Sequence, residues 1–251
     1  MIPKIIHYCW FGPNAKSEVA MRCIASWKQH CPDFELKEWT ETNTKKYQNK
    51  FYRDAYRKKK FAFVADCVRV QALHEYGGIY MDTDMFLIKP IDNLLSFNFF
   101  TGYEVEERAA YGLFGGIARH RFFKVMKDFY DTTPFNQFSL PVITHTFSPI
   151  IQTKNLKENE HIFAPEYFYA LTYQNKEEDY TLFTTANSYA VHLWDHSWKG
   201  EEKETMGVLW KKLRTVVGDY TFHNYPKWYY KRYAKEFSRK LYHRLTGKKT
   251  T

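Results

Sequence analysis

The run from Phe61 to Asp84 constrains this chain more than any other stretch. Phe61, Val64, Val68, Ala72, Leu73 and Tyr76 recur at helical spacing, which gives one apolar helix face. Gly77-Gly78 follows, and glycine can adopt the left-handed turn that closes a helix. Ile79 to Met81 is then a short apolar strand that runs straight into Asp82-Thr83-Asp84. Helix, stop, strand and two acids in succession form the unit of an α/β sheet, with the acids at the strand's carboxyl end.

The flanking sequence extends this pattern. Lys4 to Cys9 is β-branched and aromatic and reads as an opening strand, broken by Gly12-Pro13-Asn14. Ser17 can cap a helix reaching about His30, with Val19, Cys23, Ile24 and Trp27 on one face. Phe34 to Trp39 alternates as a second strand, and the polar stretch Thr40 to Lys60 holds a short helix. Met85 to Ile88 is apolar again. Later strands are expected at Phe99–Glu104, Tyr111–Ala118, Thr181–Thr185 and Tyr189–Trp194, with a helix at Arg121–Tyr130. The expectation is an α/β fold with helices on both sheet faces: one domain over residues 1–225 and a C-terminal extension over 226–251.

Hydrophobic residues make up 44% of the chain and aromatic residues 19%, enough to exclude global disorder. The four cysteines, Cys9, Cys23, Cys31 and Cys67, form no Cys-x-x-Cys pair or metal spacing, and read as reduced thiols of a cytosolic protein. The apolar run Ile5–Phe11 is too short for a signal-peptide core, and no stretch has the length of a membrane span. A cytoplasmic location follows as an expectation.

Two ionised carboxylates as close as Asp82 and Asp84 repel each other unless a positive group sits beside them. In extended chain, residues two apart project to the same side, so Thr83 should point away while the acids converge. A hard divalent cation, Mg²⁺ or Mn²⁺, suits such a pair and fills its other positions with phosphate oxygens and water. The pair is thus a candidate clamp for a metal and a nucleotide diphosphate. Upstream, Asp66 and Arg69 lie three apart on the expected helix and share a face. Either they form a surface ion pair, or the helix presents them to the same ligand, Asp66 to sugar hydroxyls and Arg69 to an oxygen.

Phe63-Val-Ala-Asp66-Cys-Val-Arg69, continuing through Leu73-His-Glu-Tyr76-Gly77-Gly78-Ile79-Tyr80-Met81-Asp82-Thr83-Asp84, resembles the family 32 glycosyltransferases. These are the DxD sugar-binding proteins, which include bacterial capsule and lipopolysaccharide sugar transferases. The opening Ile2-Pro3-Lys4-Ile5-Ile6-His7-Tyr8-Cys9-Trp10 and the late His192-Leu-Trp194-Asp-His-Ser197-Trp198 resemble the same family, and the three blocks stand in its order. Two departures are Ala65, where the family commonly has Ser, and Ser148-Pro149, where it often has Gly-Pro.

The resemblance implies a GT-A type, Rossmann-like fold. It also implies a retaining transfer of a hexose from a UDP- or GDP-sugar to a glycan acceptor, lipid-linked or not, in surface polysaccharide synthesis. By position, Trp10 would stack near the nucleobase, Asp66 and Arg69 would contact the donor sugar, and Tyr80 would line its pocket. Asp82 would contact ribose and donor sugar, and Asp84 would bind Mn²⁺ or Mg²⁺. His192 or Ser197 would complete the metal shell, and Trp198 would cover the diphosphate. A haloacid dehalogenase-type phosphatase also places Asp-x-Asp after an apolar strand, but in its opening strand and before a turn such as Gly-Thr; here Met85-Phe86 follows. A non-catalytic glycan- or membrane-binding module is the other alternative.

Net charge is +9, and its location matters more than its size. Nine Lys or Arg and the single acid Glu236 lie between Pro226 and Thr251, leaving the rest of the chain close to neutral. Trp228, Tyr229, Tyr230, Tyr233, Ala234, Phe237, Leu241, Tyr242 and Leu245 recur there at helical spacing. A basic, aromatic, amphipathic helix suits the anionic inner face of a plasma membrane, unless its apolar face packs on the domain. Nucleic acid is not an expected partner, since no recognition motif accompanies the charge.

Overall fold

A computed structural model describes residues 1–137, 140–195, 205–222 and 227–246. The expected elements of the first half form where the pattern places them: β1 (Ile5–Cys9), α1 (Glu18–His30), β2 (Glu35–Trp39), α2 (Lys50–Arg57), α3 (Phe61–Tyr76) and β3 (Gly78–Met81), and the apolar run after the acids forms β4 (Met85–Leu87). Then follow β5 (Phe99–Val105), β6 (Arg108–Gly116), α4 (Arg121–Thr132), α5 (Ile143–Phe147), β7 (Glu160–Phe163), α6 (Pro165–Phe168) and β8 (Ala190–His192). Two helices end the described chain, α7 (Met206–Thr221) and α8 (Lys227–Thr246).

Six strands make one sheet in the order β2-β1-β3-β6-β5-β7. β6 pairs antiparallel with both neighbours, while the other pairings are parallel. Five strands therefore end on one edge, the edge that carries ligands in open α/β sheets. β4 and β8 pair antiparallel in a small second sheet, with Met85 opposite His192. That pairing brings the C-terminal part of the chain to the acids after β3.

Strand alternation sorts side chains into two cores. Ile79 and Met81 join Trp27, Ile24 and Cys23 of α1 on one face. Tyr80, between them, joins Val64, Val68, Phe114 and Phe123 under α3 and α4 on the other. Helices thus cover both faces, as expected for this α/β class. All four cysteines are buried and free.

Ser17 caps α1, its side chain accepting from the Ala20 N–H at 3.1 Å, as expected. Gly77 has the positive φ that ends α3, +67°, but its ψ of −163° is extended. The chain therefore turns directly into β3 rather than through a left-handed helical residue. Thr181–Thr185 is not a strand. Asp179 accepts from the Thr181 N–H and starts a 3₁₀ turn at Tyr180–Leu182, and Leu182 lies exposed. β7 and α7 form where no element was anticipated.

Candidate functional site

The carboxyl ends of β1 and β3, with β5 and the start of β6, border a cleft of about 420 Å³. Asp82 and Asp84 lie on its floor, on a tight turn rather than in extended chain: the Met85 N–H donates to the Asp82 carbonyl at 2.9 Å. The turn, not strand alternation, makes the acids converge, and Thr83 lines the cleft with them instead of pointing away. His192 arrives through the β4–β8 pairing, and its Nε2 lies 3.1 Å from Asp84 Oδ1. Ligand atoms of Asp82, Asp84 and His192 lie within 4.8 Å of one another.

Arg69 organises the wall behind them. It is 5% exposed, so the surface ion pair anticipated as an alternative is in fact a buried one. Its Nη2 contacts Asp66 Oδ1 at 3.1 Å and Asp82 Oδ1 at 3.0 Å. Its Nη1 donates to the Tyr111 carbonyl at 2.8 Å. The guanidinium lies 4.2 Å from the centre of the Tyr80 ring, and the Tyr80 hydroxyl donates to Asp82 Oδ1 at 3.1 Å. Two donors thus hold one oxygen of Asp82. The buried Arg69 Nε has no partner among the described residues.

The electrostatics show a site with excess negative charge. Burial pushes the Asp66 carboxyl up to about 7, against the pull of Arg69. Burial also raises Asp82, with Arg69 opposing and Asp84 adding to the rise. Burial pulls His192 down, yet the charges of Asp84 and Asp82 outweigh it and the imidazole sits above its usual value. A cation between Asp82 and Asp84 would offset the repulsion between them.

The residues present fit a divalent cation. They offer two carboxylates and an imidazole at ligating separation, and the buried His192 Nδ1 has no partner among the described residues. The His192 ring is wedged edge-on to Trp194, with centroids 4.1 Å apart, and beside Tyr169.

Trp10 lines the cleft, its Nε1 donating to the Asn14 carbonyl at 2.8 Å. The structure thus brings Trp10, Asp66, Arg69, Tyr80, Asp82, Asp84 and His192 to one cleft. Ser197 and Trp198 lie outside the described residues.

Several cleft residues escaped the sequence reading. Tyr169 accepts from the Gly112 and Leu113 N–H groups, both at 3.1 Å, which props β6 under the acids. A Cβ at Gly112 would stand 3.0 Å from Asp82 Oδ2, so any larger residue there presses on the acid. Asp195 accepts from the Ser17 hydroxyl at 2.6 Å and ties the chain after β8 to the start of α1. Trp194 holds a positive φ of 56°, a strained conformation of the sort found at functional sites. Only that last block had a signal in the sequence, its resemblance around His192.

Residues 17–101 match the family described as "Glycosyltransferase sugar-binding region containing DXD motif". The chain is 26% identical over 147 residues to an alpha-1,4-N-acetylglucosaminyltransferase of Homo sapiens, covering 53% of this chain and 42% of that protein. It is 31% identical over 106 residues to inositol phosphoceramide mannosyltransferase 1 of Schizosaccharomyces pombe, covering 38% and 32%. The chain therefore spans less than half the length of these curated relatives. A glycosyltransferase involved in glycosylation of the PBCV-1 major capsid superimposes at a TM-score of 0.48 and 10% identity, over 78% of this chain and 95% of that one.

Proposed function

We propose that this chain, which carries the DXD-containing sugar-binding region of the glycosyltransferases over residues 17–101, transfers a hexose from a nucleotide-sugar to a glycan hydroxyl. The observation that carries the reading is the convergence of Asp82, Asp84 and His192 beside the buried Arg69, in a cleft at the sheet's carboxyl edge. A phosphatase of the haloacid dehalogenase type is disfavoured, because its nucleophile would be an Asp of the opening strand, which here ends in Tyr8-Cys9.

Asp84 and His192 would hold the cation, with Asp82 beside them, and Mn²⁺ suits a mixed oxygen and nitrogen set better than Mg²⁺. Bound there, the ion supplies Lewis-acid neutralisation of the departing diphosphate. The chain's own groups do the rest. Arg69, fixed on three sides, adds permanent positive charge at the donor's reacting end, and needs no rearrangement as charge develops. Asp66 and the free edge of Asp82 accept hydrogen bonds from sugar and ribose hydroxyls. Trp10 offers an aromatic face to the base at the β1 end. Retention by front-face attack fits, since the leaving phosphate can take the acceptor proton and no separate base is required. The basic C-terminal helix suits a lipid-linked acceptor at a membrane surface.

The test is release of nucleoside diphosphate from a panel of UDP- and GDP-hexoses, with and without EDTA. Metal-dependent release that disappears in Asp84→Ala supports the proposal. Release of inorganic phosphate instead, or full activity in Asp82→Ala and Asp84→Ala, refutes it.

A further inference from the structure

Glu104 is the cleft carboxylate that the proposed donor chemistry leaves unused. Asp66, Asp82, Asp84 and Asp195 are each held by Arg69, Tyr80, His192 or Ser17. Glu104 comes from β5 on the far wall and lines the same cleft. Its Oε1 contacts Arg108 Nη2 at 3.1 Å across the hairpin, and the other oxygen has no partner among the described residues.

Its aim into the cleft is built into the backbone. Tyr103 pairs with Ala109 and Val105 with Arg108, so Glu104 is the extra residue of a β-bulge. Bulges redirect one side chain and recur beside active sites. The hairpin turn behind it holds Glu107 at a φ of 60°. A solvated surface glutamate requires neither device.

The order of strands along the edge says what Glu104 faces. Trp10 stands at the end of β1, the acids follow β3, and β5 lies two strands further on, beyond β6. At ~4.8 Å per strand, Glu104 stands about 10 Å past the acids, on the side away from Trp10. That is about the reach of a hexose beyond a bound diphosphate. Resting on the transferase reading above, we infer that Glu104 binds the acceptor: its carboxylate takes hydrogen bonds from hydroxyls of a neutral sugar. Arg108 fixes its rotamer, and the pair carries no net charge, which suits an uncharged acceptor.

The experiment uses the full chain, Mn²⁺, the nucleotide-hexose most rapidly hydrolysed, and a panel of p-nitrophenyl hexosides as acceptors. The readout is the ratio of transfer to donor hydrolysis, which separates acceptor binding from donor chemistry. Glu104→Gln and Glu104→Ala should lower that ratio at least tenfold and raise the acceptor KM. Arg108→Ala should lower it in the same direction by a smaller factor. An unchanged ratio, whether both rates fall together or neither moves, overturns the inference while leaving the transferase reading intact. Hydrolysis with no hexoside accepted overturns the neutral-sugar assignment. A native chain with neither activity overturns the transferase reading, and this inference with it.

Discussion

Arg69 shows how one residue links stability to chemistry. It lies between the buried Asp66 and Asp82, whose side chain faces the cleft and is 32% exposed. Removing it leaves the buried Asp66 carboxylate with no counter-charge, a loss of about 3–5 kcal/mol. Arg69→Ala should therefore lower the denaturation midpoint, as measured by urea unfolding. Arg69→Lys keeps the charge but not the fork, so it should recover part of the stability and little of the activity. Gly112→Ala probes the metal site instead. Its Cβ would press on Asp82 Oδ2 and the Tyr169 hydroxyl, not on backbone. We expect Mn²⁺ affinity to fall roughly tenfold, about 1.4 kcal/mol, with a thermal midpoint close to native; an undiminished affinity would show that Asp82 can shift freely. The three-residue spacing of Asp66 and Arg69 revealed a shared face, but burial depends on what α3 packs against, and sequence spacing carries no such information. Glu104 and Tyr169 were illegible for a related reason. Glu104 reaches the cleft through a bulge and Tyr169 through its hydroxyl on two backbone N–H groups, and neither leaves a local pattern.

At the scale of elements, the junction of α3 with β3 sets where the acids stand. Gly78 holds a φ of +103°, and a Cβ there would lie 2.8 Å from the Ile5 carbonyl of β1. Gly78→Ala should cost about 2–3 kcal/mol through backbone strain and weaken Mn²⁺ binding by displacing β3. His7 braces the same junction. It accepts from Trp39 Nε1 at 3.1 Å and donates through Nε2 to the Gly77 carbonyl at 2.8 Å, which fixes a neutral tautomer. Burial depresses its pKa to about 4, against a raising effect of the Gly77 carbonyl and with a further lowering by Lys37. The folded value lies below the unfolded one, so the unfolded state binds the proton first as pH falls. The stability His7 contributes is present above about 6.5 and is lost as pH drops through 4, by about 3 kcal/mol over that window. Urea unfolding at pH 7.5 and 4.5 should show that much more acid sensitivity in the native chain than in His7→Gln. This unit was also the most legible part of the sequence, because apolar spacing, glycines and a strand coincide from Phe61 to Asp84. Thr181–Thr185 misled because β-branched residues favour strands only where an edge is available to pair. β7 has four residues, one of them a buried Glu160 held by Arg121 and His120, so its polarity concealed it.

Charge is segregated across the whole molecule. Residues 226–251 hold nine basic residues and one acid, while the rest is almost neutral. No helix among the described residues is long and apolar enough to cross a membrane. The alternatives for the amphipathic helix, packing or exposure, turn out to be divided between its faces. On one side α8 packs on α7: the Tyr230 hydroxyl donates to the Asp219 carbonyl at 2.8 Å, and Phe237 stands against Trp210. On the other, Tyr242 and Leu245 remain exposed, with Phe222 and Val217 of the α7 end. Exposed rings and aliphatics interspersed with Lys231, Lys235 and Arg239 suit an anionic lipid surface, where apolar side chains enter the headgroup layer and cations meet phosphate. The full chain should co-sediment with vesicles containing phosphatidylglycerol and not with phosphatidylcholine alone. Each basic residue near such a surface contributes about 1 kcal/mol, so replacing those three with Gln should weaken binding by more than a hundredfold. Raising salt from about 0.1 M to 1 M shortens the screening length from ~10 Å to ~3 Å and should release most of the bound chain. Equal binding to neutral vesicles would assign the surface to hydrophobic contact alone, and no binding to either would leave the helix pair without a role in bringing the cleft to a lipid-linked acceptor.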